Sequence, residues 1–375
     1  MSFSAERSLG DPPLDNTLVR VGQMDAAFIV VTFLLAGLGL IVLHSASGGD
    51  ASLLTRHGIR FGVGLFALVL MSQINADTLR MWSFWAYVLG LALLVWVLLA
   101  GHFGKGAQRW LDVGLLRFQP AEIMKLAVPM MIAWYFAEKS LPPAKRHLFV
   151  AAVLAVTPAV LIGLQPDLGT ALIVACAGLA VIFFAGVGWG SIVTIVAMCL
   201  AASPALWQFM REYQRQRVLT MLNPESDPLG AGYHTIQSKI ALGSGGWYGK
   251  GWMNGTQSQL DFIPEQSTDF IFAVFGEEFG FVGVVVMVLL YLFVVLRGLS
   301  IATRAQDTYS RLLAAALSMT FFVYVFVNMG MVCGLLPVVG VPLPLVSYGG
   351  SSMVTLMAAF GMLMSINSRR RLLSR

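Results

Sequence analysis

The sequence predicts an all-α polytopic membrane protein: a bundle of ten transmembrane helices with one long loop between helices seven and eight. Three observations predict it. Of 375 residues, 57% are hydrophobic and only 11% are charged, against about 25% charged in soluble domains. Mean hydropathy is +0.77. Ten apolar runs approach the ~20 residues needed to cross a hydrocarbon core.

Residues 1–24 form a charged cytoplasmic tail. They contain no short apolar core ending in a small-residue cleavage site, so the first span is expected to act as the anchor. The membrane domain is predicted over residues 25–367. Its spans are Ala26–Leu43, Ile59–Ile74, Met81–Ala100, Ile123–Ala137, Leu148–Leu164, Ala171–Val187, Ile192–Trp207, Phe270–Leu296, Leu312–Leu336 and Leu343–Ile366. Residues 207–267 form the long loop. Residues 368–375 are a basic cytoplasmic tail with Arg369, Arg370, Arg371 and Arg375. Cys176, Cys199 and Cys333 lie in apolar runs without CxxC spacing, so they read as small buried hydrophobes and not as a disulfide or metal framework.

Net charge is +5, and its distribution matters more than its size. With both termini cytoplasmic, the inner side carries Arg7, Arg20, Arg80, Lys139, Lys145, Arg146, Arg297, Arg304, Arg311 and the terminal arginines. The short outer loops carry Arg56, Arg60, Lys105, Arg109 and Arg117. The positive-inside rule favours this orientation. Arg109, Asp167, the long loop and Asp269 then share the outer side, which in a bacterium is the periplasm.

The outer face collects the candidate site. The stretch Gln257–Gly280, QSQLDFIPEQSTDFIFAVFGEEFG, ends the long loop and opens the eighth span. Ser267 and Thr268 are good N-cap residues, which predicts a helix starting near Asp269. Asp269 then reads either as an acid held by the helix dipole, worth roughly 0.3–1 kcal/mol, or as a general base. Glu122 and Lys125 are three apart on one helix face, either a structural pair or part of a site. Asp167 in QPDLGT caps the sixth span or lines a cavity. Arg109 and Lys239 contact either lipid head groups or a bound anion. The glycine-rich stretch Gly243–Gly251 lacks nucleotide-binding spacing; it reads as a flexible loop or as close backbone approach to a ligand. Glu277 and Glu278 lie about two turns into span eight, and at least one is expected to face the bundle interior. PLPLVSYGGSS (Pro342–Ser352) completes the set. Carboxylates beside cations at a membrane face suit an anionic, lipid-linked substrate attacked by a hydroxyl. The residues alone reach no further.

FIPEQSTDFIFAVFGEEFG, QPDLGTA, RWLDVG with QPAEIMK, and PLPLVSYGGSS occur in this order. Together they resemble the SEDS family (shape, elongation, division and sporulation) over nearly the whole chain. PVVGVPLP and QLDFIP look like the elongation branch more than the division branch. The resemblance implies a ten-span peptidoglycan glycosyltransferase of the bacterial inner membrane. It would polymerise lipid II, an undecaprenyl-pyrophosphate-linked disaccharide-pentapeptide, beside a class B penicillin-binding protein and other elongation-machinery membrane proteins. No nucleic acid is implied. Asp269 matches the family's essential aspartate, implied to be the base. Arg109, Lys125 and Lys239 become candidates for the pyrophosphates; Trp110, Glu122, Asp167, Asp261 and Glu265 become cavity residues. The family also implies help from a divalent cation, Mg²⁺ or Mn²⁺. No His/Cys/Asp cluster in the sequence fixes a metal site, so the ion is expected on the pyrophosphate. Two rival classes stay in view: a lipid II flippase and a non-catalytic scaffold for the penicillin-binding protein.

Overall fold

The computed structural model describes residues 24–104, 107–112, 117–188, 190, 193–194, 197, 201, 207–208, 210, 212–226, 231–260, 262–263 and 265–373. Its helices are α1 (Ala26–Ala46), α2 (Ala51–Gln73), α3 (Ala76–Ala100), α4 (Pro120–Ala137), α5 (Lys145–Leu164), α6 (Leu168–Phe184), α7 (Glu212–Leu222), α8 (Ala231–Ser244), α9 (Thr256–Gln259), α10 (Ile271–Thr303), α11 (Thr308–Val332) and α12 (Ser351–Leu373). Among the described residues seven helices are long and apolar enough to cross a membrane: α1, α2, α3, α5, α10, α11 and the Ser351–Ser368 part of α12. This is a polytopic helical membrane protein. α6 is apolar but has 17 residues. α4 has 18 and carries Glu122 and Lys125 near its start. The expected span Ile192–Trp207 falls largely outside the described residues, with Cys199.

Several sequence expectations need correction. α2 begins well before Ile59 because the Asp50 carboxylate caps it, accepting from the Ser52 N–H at 2.8 Å. Arg56 and Arg60 therefore lie on a helix and not in a loop. The connection after α3 is not helical or irregular throughout. It holds an antiparallel sheet, β1 (His102–Gly104), β2 (Ala107–Asp112) and β3 (Arg117–Phe118), in that order, which pairs backbone groups that have left the bundle. Residues 343–350 are not helical; Pro342 and Pro344 remove helix donors, and α12 starts only at Ser351. Cys333 is exposed at the end of α11 and Cys176 is half-buried, so neither is a core residue.

The eighth span departs most. Expected as one run from Phe270 to Leu296, α10 is two helical pieces broken at Gly280, whose φ of 66° and ψ of −167° only glycine adopts readily. Glu277 and Glu278 thus end a short first piece. The break frees backbone groups that must be paired, and the glycine-rich stretch pairs them. Lys250 N–H and Gly251 N–H donate to the Glu277 and Glu278 carbonyls, both at 3.0 Å. Phe281 N–H and Val282 N–H donate to the Gly246 and Trp247 carbonyls at 2.9 and 3.0 Å. A Cβ on Gly249 would stand 2.0 Å from the Glu278 oxygen, and one on Gly245 2.1 Å from the Gly276 oxygen. The close approach expected toward a ligand is made instead to the broken helix.

α11 and α12 are the innermost spans, each with 72% of its apolar window buried, against 17% for α2. α2 lies along α12, α10 along α11, α3 along α4 and α5 along α6. Successive antiparallel spans sort the ion pairs to two ends. Arg297 Nε–H donates to Asp25 Oδ2 at 2.7 Å and Arg80 meets Glu138 at 2.9 Å at the end where α1 begins. Arg109 and Asp167 lie at the other end, with Asp269.

The glycine ladder predicts a contrast between neighbours. Gly249→Ala adds a methyl at a φ of +79° against a carbonyl, whereas Gly243 sits on α8 with nothing within 4 Å. Gly249→Ala is expected to cost ~2 kcal/mol or more and lower the Tm in detergent. Gly243→Ala leaves it unchanged or raises it slightly. Equal Tm values for the two variants would mean that the ladder is not structural.

Candidate active site

Asp269 sits in a turn rather than in a helix. Glu265 adopts a left-handed φ of +52°, and the Thr268 and Phe270 N–H groups donate back to its carbonyl at 3.0 and 3.4 Å. The Thr268 hydroxyl donates to the Glu265 carboxylate at 2.8 Å. α10 starts only at Ile271, and its N-cap residue is Phe270, with no side-chain cap. Neither Ser267, Thr268 nor Asp269 occupies the capping position, and Asp269 is half-buried. Its backbone is tied from two sides. The buried Asn328 amide of α11 donates to the Asp269 carbonyl at 2.9 Å and to the Val341 carbonyl at 2.7 Å. The Tyr348 N–H donates to the Ser267 carbonyl at 2.9 Å.

The segment 333–350 gathers the rest. Gly340 passes the Asp269 carboxylate so closely that a Cβ there would lie 3.4 Å from Oδ2. One residue earlier, the Val339 carbonyl packs on Gly169 at the start of α6, where a Cβ would lie 2.6 Å away. The Cε and Nζ end of Lys239 lies against Gly334, where a Cβ would stand 2.2 and 2.6 Å from those atoms, and the neighbouring Ser238 hydroxyl donates to the Val332 carbonyl at 2.9 Å. On the far side the Arg60 guanidinium lies 4.3 Å over the Tyr348 ring. Gly169 at the start of α6, Lys239 and Asp269 thus meet one loop from three parts of the chain.

The predicted residues divide by what already holds them. Asp167 caps α6, accepting from Thr170 N–H at 3.3 Å. It also accepts from the Gln119 amide at 2.8 Å and lies 3.9 Å from Arg109. Arg109 donates to the Gln165 carbonyl at 3.3 Å and to the Pro166 carbonyl. It serves the C-terminal carbonyls of α5, where a cation complements the helix dipole. Trp110 is half-buried on β2. Glu122 and Lys125 form a buried pair at 2.7 Å, with the ammonium 5.1 Å over the Tyr324 ring, one turn from Asn328. Lys239 is exposed as a residue, with its ammonium end beside Gly334. Glu265 is exposed beside Thr268, and Asp261 lies outside the described residues.

Glu277, fully buried, accepts from Lys250 Nζ at 2.7 Å, Thr256 Oγ1 at 3.2 Å, and the N–H groups of Gln257 and Ser258 at 2.9 and 3.3 Å. It fastens the long loop to α10. Glu278 accepts from the Ser45 hydroxyl on α1. Both carboxylates face the interior, as expected for acids that would otherwise meet lipid. Two residues were overlooked in the sequence. Asn328 is a lone amide in an apolar run, a signal that was visible. His234 stacks on Phe270, with ring centroids 5.6 Å apart, and no local pattern announces it.

Comparison with known proteins identifies the family. The FtsW/RodA/SpoVE family model, described as a cell cycle protein, matches residues 25–372. The chain belongs to the SEDS family. It is similar to the peptidoglycan glycosyltransferase MrdB of Escherichia coli K12, 49% identical over 366 residues, covering 97% of this chain and 99% of that one. A probable peptidoglycan glycosyltransferase FtsW of Idiomarina loihiensis is 36% identical over 94% of this chain and 88% of its own. The greater identity to MrdB accords with the elongation-branch motifs. Among solved structures, a chain from a peptidoglycan synthase complex that coordinates polymerization and crosslinking superposes with a TM-score of 0.80 at 35% identity, covering 92% of this chain and 98% of that one. The rod shape determining protein RodA of Thermus thermophilus superposes at 0.70 and 28% identity, covering 92% and 97%.

His234 gives this SEDS site a pH signature. Burial holds its pKa below the usual histidine value; Glu265 opposes the shift and Arg217 adds to it. Its neutral form is therefore favoured by folding. The stability that depends on it is complete above ~6.5, the unfolded value, and declines as pH falls through that value. Tm is expected to drop more between about pH 7.5 and 5.5 in the wild type than in His234→Phe. Parallel Tm profiles would remove His234 from the acid response.

Proposed function

We propose that this SEDS chain is a peptidoglycan glycosyltransferase that joins lipid II disaccharides by β-1,4 bonds during cell-wall elongation. The observation that carries the proposal is a 49% identical relative of that activity, matched over 97% of this chain and 99% of its own. Ten spans with both termini cytoplasmic, the inner membrane, and a periplasmic site complete the reading. Asp269 is the general base. Its carboxylate takes the proton from the acceptor sugar's 4-hydroxyl. That oxygen bonds to the donor's anomeric carbon with inversion, and the bond to undecaprenyl pyrophosphate breaks, the pyrophosphate leaving with the electron pair. Two features support the assignment: Asp269 occupies no capping position, and its turn is held from both sides.

The cations have graded roles. Lys239, exposed beside the 333–350 loop, is the better pyrophosphate ligand. Arg109 and Lys125 are committed to carbonyls and to Glu122, and they act mainly by shaping the wall with Trp110, Asp167 and Glu265. Among the described residues no three His, Cys, Asp or Glu side chains gather as a metal site. A Mg²⁺ or Mn²⁺ ion is therefore assigned to the substrate pyrophosphate, and no step is routed through a protein-held metal. The partner is a class B penicillin-binding protein, in keeping with the synthase complex among the structural relatives.

A broken helix with buried acids also occurs in transporters, so the flippase reading has an observation behind it. Glu277, however, is saturated by Lys250, Thr256 and two backbone donors, and reads as a fastening rather than a transport site. Polymerisation in detergent, where no leaflets exist, separates the two. Wild-type protein with its partner is expected to make glycan there, whereas Asp269→Asn folds and binds the partner but polymerises ~10²–10⁴-fold more slowly. Near wild-type turnover in Asp269→Asn would sink the mechanism. Absence of polymer from active-partner complexes of the wild type would favour the flippase.

A further inference from the structure

We infer that Asn328 is a positioning residue for the base, a deduction that rests on reading Asp269 as that base. Three observations converge on it. The Asn328 side chain is fully buried, 0% exposed, in the middle of the site wall. Its Nδ2 reaches two carbonyls from different segments, Asp269 at 2.9 Å and Val341 at 2.7 Å. The second segment is the one whose Gly340 passes the Asp269 carboxylate. Two acceptors leave no freedom in how the amide is turned: only the NH₂ end can face both carbonyls.

The clamp fixes what the turn alone does not. Asp269 lies before the first residue of α10, in a turn closed by Glu265, and so outside the regular helix. Asn328 belongs to α11, whose neighbours Val327, Gly330 and Met331 are buried. It therefore ties the Asp269 turn to one of the most buried spans of the bundle. By holding Val341 with the same amide, it also sets the distance between the base and the loop that walls it. Asn328 touches neither carboxylate oxygen through a described hydrogen bond, so it acts through the placement of Asp269 and not on a proton. General-base catalysis is sensitive to such placement, because a displacement of ~1 Å can cost ~10²-fold.

The test is a double-mutant cycle on the full chain with its penicillin-binding partner, reading kcat, KM for lipid II and Tm. Asn328→Ala is expected to lower kcat ~10–100-fold with KM within about twofold. Asn328→Ser, whose hydroxyl is one bond too short to reach the two carbonyls and turns to its own i−4 carbonyl, is expected to lose kcat as the alanine variant does and supplies the measurement if that variant does not fold. The decisive arm is the Asp269→Asn background. If Asn328 acts through Asp269, adding Asn328→Ala or Asn328→Ser there lowers the residual rate by less than about threefold. Wild-type kcat in both single variants, a change confined to KM, or a full additive loss in the double variant would each overturn the inference. Full turnover in Asp269→Asn alone would instead overturn the base assignment, so the two failures are told apart.

Discussion

The interrupted backbone at Gly280 is the constraint on which the site depends. A helix that breaks inside a buried bundle strands N–H and C=O groups where water does not compete for them, and each unpaired group costs ~1–3 kcal/mol. Four hydrogen bonds from residues 246–251 answer the break. They require backbone contact at van der Waals limits, hence glycine at 245 and 249. Glu277 reinforces them by binding Lys250 and the start of α9 at once. The long loop is thereby stitched to the membrane helices instead of lying free above them. Because the first piece of α10 is short and locked, the turn that presents Asp269 is held at a fixed height.

The same economy appears around the 333–350 loop. α11 ends at Val332, and the chain then runs past Lys239, Gly169, Asp269 and Arg60 before α12 begins. A non-helical segment at this depth must find partners for its own backbone. It finds Asn328 and the Ser267 carbonyl, groups beside the candidate base. Folding this loop and aligning the carboxylate are therefore one event. The buried Glu122–Lys125 pair contributes differently. Its desolvation cost offsets much of its Coulomb gain, and the Lys125 ammonium over the Tyr324 ring joins α4 to α11.

Much of this site was legible as a list of residues and little of it as a geometry. Asp167 could be read as a helix cap because its position before an apolar run determines its local hydrogen bonds, and Glu122–Lys125 could be read as a pair because three residues on a helix bring side chains together. The helix expected to start near Asp269 starts at Ile271, two residues later. Ser267 and Thr268 have the better capping chemistry, but tertiary bonds from Tyr348 and Asn328 hold that turn out of the helix. Asn328 and His234 escaped notice because their partners lie in other segments, and nothing in their own neighbourhoods encodes those contacts.

Composition and local pattern determined what a chain can decide alone: that it belongs in a membrane, roughly where its spans run, and which ionisable residues stand near the ends of those spans. These follow from hydrophobic transfer and helical periodicity, which act over neighbouring residues. The motifs, taken together, also determined the family. Tertiary structure alone decided that the glycine-rich stretch pairs with a broken helix, that Arg109 serves carbonyls while Lys239 stays exposed, and that Asp269 is aligned by an amide from α11. Each of these depends on the satisfaction of backbone groups by residues distant in sequence, a condition that no local propensity contains.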